Sequence, residues 1–175
     1  TYDSLTAEAE QTPPGADGVR FLPHLCGAGS PRMDPNARGA FAGFSLRHRR
    51  GHLVRAILES VAFMLRENLE MLASLGHPVS EIRSLGGGAR SPLWIQIKAD
   101  VCHKPVLTMA CAETTSLGTA MIAGVAAGLF PALETARDQM VRVHRQTLPR
   151  AASQEAYEAA YGDYLRRDRV RPPSP

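Results

Sequence analysis

The sequence has 175 residues, 44% of them hydrophobic and 21% charged, with 15 glycines and 13 prolines. Those proportions suit one folded domain with a real core, and they exclude a collagen, a disulfide-stapled miniprotein and a wholly disordered chain. The 20 Lys and Arg against 17 Asp and Glu leave a net charge of +3. The one dense basic cluster, Arg47, His48, Arg49, Arg50, His52 and Arg55, reads as a solvated loop running into a helix start rather than a nucleic-acid stripe.

In chain order, residues 1–18 are polar, carry Pro13-Pro14-Gly15, and read as a linker or a short helix ahead of a domain over 19–168. They have neither the basic start nor the apolar run of a signal peptide. Val19–Leu25 is a short apolar run and is expected to be a strand, followed by a Gly/Pro/Asp/Asn-rich loop over Cys26–Gly39 and a second strand over Ala40–Leu46. Residues 51–75 give the strongest helical pattern: Val54, Ile57, Leu58, Val61, Leu65, Leu69 and Leu72 recur at three- and four-residue spacing. Ala56, Phe63 and Met64 widen that arc, which predicts that most of the helix is buried. Arg66 and Glu70 are spaced as an i,i+4 pair on its wet side, Glu59 is expected to partner a nearby arginine, and Gly76 ends the helix.

Glu81–Leu85 reads as a strand running into Gly86-Gly87-Gly88. Ser91 is placed to cap a second helix with Pro92 at its first position and Leu93, Trp94, Ile97 and Val101 along it. A strand over Pro105–Met109 follows, then helices over Thr115–Ala127, Leu133–Val143 and Ser153–Arg167. Leu133, Ala136, Met140 and Val143 stripe the second of these, and Tyr157, Ala160, Tyr161 and Tyr164 the third. Residues 169–175 are expected to be a disordered tail. The alternation of strands and helices implies an α/β fold, a sheet with helices packed on it.

The 20 residues from Thr114 to Leu133 carry no charge. Gly118, Gly124, Gly128 and Pro131 interrupt them, so the segment reads as a buried core helix rather than a membrane span. Ser116, Ala120, Gly124 and Gly128 fall every fourth residue, which predicts a smooth face for close packing. Cys26, Cys102 and Cys111 are odd in number and form no C-x-x-C pair. They argue against a disulfide framework or a structural zinc site and read as buried thiols of a reducing cytoplasm.

The chemistry-bearing segment is Leu85-Gly86-Gly87-Gly88-Ala89-Arg90-Ser91-Pro92-Leu93-Trp94. A strand, three glycines and a capped helix form a shape that lets backbone approach a nucleotide closely. No Gly-Lys-Ser/Thr follows, so it is not a P-loop, and Ser91 stands where a dinucleotide fingerprint has its last glycine. That departure disfavours an oxidoreductase. A glycine turn that serves only tight strand–helix packing remains open beside the nucleotide reading.

Several stretches together resemble the C-terminal domain of the FGGY carbohydrate kinases, xylulokinase-like members in particular. Phe21-Leu22-Pro23-His24-Leu25 with Ser30 to Gly39 is similar to that family's strand and D-P-x-A-R-G loop, and Gly39 to Glu59 to its second signature. Gly86 to Trp94 resembles the adenosine-binding segment, and Glu113 to Gly124 the helix after it. Ala28-Gly29 replaces a Glu-Arg pair common before that loop's Ser-Pro.

The resemblance implies a ribonuclease H-like, actin-like ATPase domain with a mixed sheet. It implies transfer of the γ-phosphoryl group of Mg-ATP to a sugar hydroxyl, with ATP or ADP and a sugar as partners, Mg2+ in the full enzyme, a cytoplasmic location and no nucleic acid or membrane. A homodimer is left open. The residues it assigns to the nucleotide are Gly86, Gly87, Gly88, Ala89, Pro92 and Leu93. It places the sugar site and the catalytic aspartate outside these residues, so no catalytic residue is assigned. The alternative is a non-catalytic remnant acting as an oligomerisation or regulatory module.

Overall fold

A computed structural model describes residues 1–111 and 113–169; the expected tail lies, past Arg169, outside the described residues. The helix option for the first residues is the one the structure takes. Tyr2–Glu10 form α1, capped by the Thr1 hydroxyl, which accepts from the Ser4 N–H. β1 (Arg20–Leu22) and β2 (Ala40–Ala42) make an antiparallel ribbon in which Phe21 faces Phe41. α2 (Arg50–Ser74) is the central helix. β3 (Ile82–Ser84), α3 (Pro92–Cys102) and β4 (Val106–Met109) follow as a strand–helix–strand crossover, and β3 and β4 pair in parallel. α4 (Thr114–Ala126) and α5 (Leu133–Met140) lead to β5 (Val143–Thr147), which pairs antiparallel to β4. α6 (Gln154–Arg169) closes the fold. The sheet order β3-β4-β5 is mixed, as the α/β expectation requires.

The main core lies between α2, α3 and α6, where Phe63, Ile97, Val101, Tyr157 and Tyr164 meet. The tyrosine stripe of α6 falls where its spacing predicts: Tyr157, Ala160, Tyr161 and Tyr164 are all buried. A smaller cluster of Ile95, Ala99 and Val106 fixes α3 on the sheet. α3 begins as its sequence dictates, with the Ser91 hydroxyl accepting from the Trp94 N–H at 3.3 Å and Pro92 in the first turn.

The structure corrects the sequence reading at several places. On α2 the most buried strip is Arg55, Ala56, Glu59, Ser60, Ala62 and Phe63, while Ile57 and Val61 of the predicted stripe are exposed. Small residues face inward because α1 lies close against α2: a Cβ on Gly51 would fall 2.5 Å from the Glu8 carbonyl. Arg55 therefore leaves the solvated basic cluster. It is buried and donates to Glu59 (2.8 Å), to the Tyr157 hydroxyl (2.7 Å) and to the Thr12 carbonyl (2.7 Å). Burial pushes the Glu59 carboxyl above its ordinary range, against the pull of Arg55 and the Gly15 N–H.

α4 is not a buried core helix. Only Gly124 is buried on it, where the Phe130 ring lies against it, and Ile122 is 61% exposed. The helix predicted to run to Val143 stops at Met140, and Val143 begins a strand. Of the three thiols, Cys26 is exposed and Cys111 half-buried. Cys102 alone is buried, and that burial pushes its thiol up to about 12.

Candidate functional site

The site is built where β3 ends. Gly86 takes φ +71, a left-handed conformation that favours glycine, and turns the chain off the sheet. Gly87–Arg90 form a single tight turn, and Ser91 then caps α3. The three glycines meet different surroundings. Nothing stands within 4 Å of a Cβ built on Gly86 or Gly87, whereas one on Gly88 would lie 2.6 Å from the Trp94 ring. That ring is held from two sides. Its indole N–H donates to the Leu58 carbonyl at 3.1 Å, and the Lys98 ammonium sits 4.2 Å from the ring centroid. Lys98 also donates to the Ser84 hydroxyl at 3.3 Å, and burial pulls its ammonium below the ordinary value. So α2 and α3 together set the position of the glycine turn.

Above the turn is a cavity of about 390 Å³, within the range of small-ligand sites. Gly86, Ala89 and Pro92, three of the six residues expected at a nucleotide, line it. Gly87, Gly88 and Leu93 do not: Gly88 faces Trp94, and Leu93 is buried in the main core and borders a second cavity of about 460 Å³. Among the described residues, Arg90, His144 and Arg145 supply the ionisable side chains of the first cavity besides Cys111, and no carboxylate lines it. Arg90 reaches across to Glu113 at 3.8 Å, an exposed and solvent-screened pair.

The β5 contributions, His144, Arg145 and Thr147, fall between the helices expected over Leu133–Val143 and Ser153–Arg167, where the sequence alone suggests no element. The signal is short: Val141 and Val143 alternate with Arg142 and His144, and Arg145 then breaks the period. Among the described residues no three His, Cys, Asp or Glu side chains are grouped to hold a metal ion. No helix among them is long and apolar enough to cross a membrane.

Comparison with known proteins decides the family. Residues 1–127 match the FGGY family of carbohydrate kinases, C-terminal domain. The chain belongs to this family. A xylulose kinase of Bacillus subtilis (strain 168) is 31% identical over 164 residues, 94% of this chain and 33% of the relative. A gluconokinase of Bacillus licheniformis is 34% identical over 157 residues, 89% of this chain and 30% of the relative. The crystal structure of xylulose kinase from Rhodospirillum rubrum superposes with a TM-score of 0.81 at 35% identity, covering 94% of this chain and 33% of that one. The fold is thus the actin-like ATPase fold of FGGY kinases, as expected. The FGGY chain described here spans about a third of the length of the relatives it matches.

Proposed function

We propose that this chain is the nucleotide-binding side of a xylulokinase-like carbohydrate kinase, with residues 19–168 as its nucleotide-side domain. The observation that carries the reading is the cavity over the Gly86 turn, which offers Arg90 and Arg145 to an anion and, among the described residues, presents no carboxylate. ATP or ADP would place its nucleoside against Gly86, Ala89 and Pro92, with Gly87 and Gly88 forming the turn behind them. In the whole kinase the γ-phosphoryl group passes to a sugar hydroxyl. The sugar oxygen bonds to phosphorus, the bond to the β-phosphate oxygen breaks, and an aspartate outside these residues takes the hydroxyl proton. Closure of the two halves excludes water during transfer. Mg2+ travels with the ATP phosphates in this reading, and no step is assigned to a metal held by this chain's own side chains.

The test is calorimetric titration of the 175-residue chain with ADP. Weak binding is expected, and Arg145→Glu should lower the affinity by about tenfold at low salt, the scale of losing a charge-assisted contact. Unchanged affinity in that variant removes the cavity assignment. Sugar-dependent ATP turnover by this chain alone removes the claim that the catalytic aspartate lies elsewhere.

One observation favours a second reading, a non-catalytic module that pairs with a copy of itself: the apolar exposure of α4, with Ile122 61% and the nearby Leu129 75% exposed. Sedimentation separates the two. Self-association that Ile122→Glu abolishes, in a chain that binds no ADP, supports the module; an ADP-binding monomer supports the kinase half.

A further inference from the structure

Gln96 lies one turn into α3 from Pro92 and lines the same cavity. Pro92 brings no hydrogen-bonding side chain to it, so the polar recognition available on this face of α3 comes from Gln96. Its amide is held in one orientation. The Nε2 group donates to Asp100 Oδ1 at 2.8 Å and to the Leu148 carbonyl at 3.0 Å. Both partners are acceptors, so turning the amide over would set its oxygen against a carboxylate and a carbonyl at once.

Asp100 is itself fixed. Its side chain is wholly buried, and it accepts from the Arg150 N–H at 2.8 Å and from the Arg150 guanidinium at 2.7 and 3.0 Å. With both amide hydrogens engaged, Oε1 of Gln96 has no hydrogen-bond partner among the described residues, and it can only accept.

We propose that Gln96 Oε1 is the base-selecting acceptor of this site. It would accept from the exocyclic amino group at the 6-position of a purine and so choose adenine over purines that carry an oxygen there. An oxygen at the 6-position would face Oε1 acceptor to acceptor, with neither supplying a hydrogen. This selectivity is preorganised, because Arg150, Asp100 and Leu148 orient the amide before any ligand arrives. The proposal rests on the nucleotide reading above.

The test compares three ligands on the unaltered chain by calorimetry: ADP, inosine diphosphate, and the diphosphate of unsubstituted purine riboside, which lacks the amino group and keeps the ring nitrogens. ADP is expected to bind about tenfold more tightly than either analogue, the scale of one hydrogen bond to a fixed acceptor. In Gln96→Met, ADP and the unsubstituted analogue should bind equally. Equal binding of ADP and the unsubstituted analogue by the unaltered chain overturns the proposal while leaving the nucleotide site standing. So does an ADP preference that survives in Gln96→Met. If that variant fails to fold, the ligand comparison on the unaltered chain decides alone. Binding of none of the three overturns the nucleotide reading and this proposal together.

Discussion

Gly88 and Trp94 form one packed unit, and the consequence can be measured. With a Cβ at that position only 2.6 Å from the indole ring, Gly88→Ala should displace Trp94 and cost about 1–3 kcal/mol, as overpacking does. Gly87→Ala, where nothing stands within 4 Å, should leave stability nearly unchanged. Urea titration followed by the fluorescence of Trp94, the single tryptophan, measures both, and equal losses in the two variants would refute the assignment. In the sequence the three glycines look alike, and the triplet is legible only as a turn. Which glycine turns the chain and which receives a ring depends on a side chain that folds back from α3, and no local pattern carries that. Ser91 and Pro92 were legible for the opposite reason: a helix cap is a local device, and its partner lies three residues away.

Element α2 was legible in its bounds and less so in its facing. Helical spacing of leucines locates an apolar arc, but three neighbours, α1, α3 and α6, compete to cover this helix, and the side that α1 takes is lined by small and charged residues. Arg55 and Glu59 are the price of that arrangement. Removing Arg55 leaves a buried carboxylate without its cation, so Arg55→Met is expected to cost about 3–5 kcal/mol. The double variant with Glu59→Met should recover much of the loss, because two apolar side chains tolerate burial that one orphaned charge does not. Chemical denaturation of the three variants decides it, and a double variant no more stable than the single would refute a role for the unpaired charge. The strand β5 escaped the sequence reading because its alternation is short and follows directly on helical residues. The stripe of α6 did not, since its four buried residues all face one continuous core.

For the molecule as a whole, Arg66 joins three helices. It donates to Glu70 on its own helix at 2.8 Å and to Glu158 on α6 at 2.8 and 3.0 Å, while His103 at the end of α3 lies 2.6 Å from the same Glu158. The Arg66 hydrogen bond holds the Glu158 carboxyl below its ordinary value of 4.5, with His103 adding to the effect. A folded-state value below the unfolded one means that the folded state binds fewer protons here. Stability from this carboxylate is therefore full above 4.5 and is lost as pH falls through the folded value. Glu158→Gln should flatten the acid limb of the stability curve and leave the limb above neutrality unchanged. Thermal melts across that range test it, and an unaltered acid limb would refute it. The family was legible from motifs in order along the chain. The exposure of α4 was not, because a charge-free segment looks the same in a sequence whether or not a neighbour covers it.

The closure of α6 on β1 bears on how the protein is made. Arg20 donates to the Ala160 carbonyl across 140 residues, and His24 Nε2 lies 2.7 Å from Asp168 across 144. Arg32 of the following loop also pairs with Asp168. On the ribosome, β1 and α2 emerge long before α6, so Arg20 and His24 wait without these partners, and Arg55 without the Tyr157 hydroxyl, while the middle of the chain is being synthesised. The tyrosines that seal the core against α2 are among the last described residues to arrive. A nascent chain halted before Tyr157 would expose Phe63 and carry an uncovered Arg55–Glu59 ion pair, the features that chaperones and proteases read as unfinished.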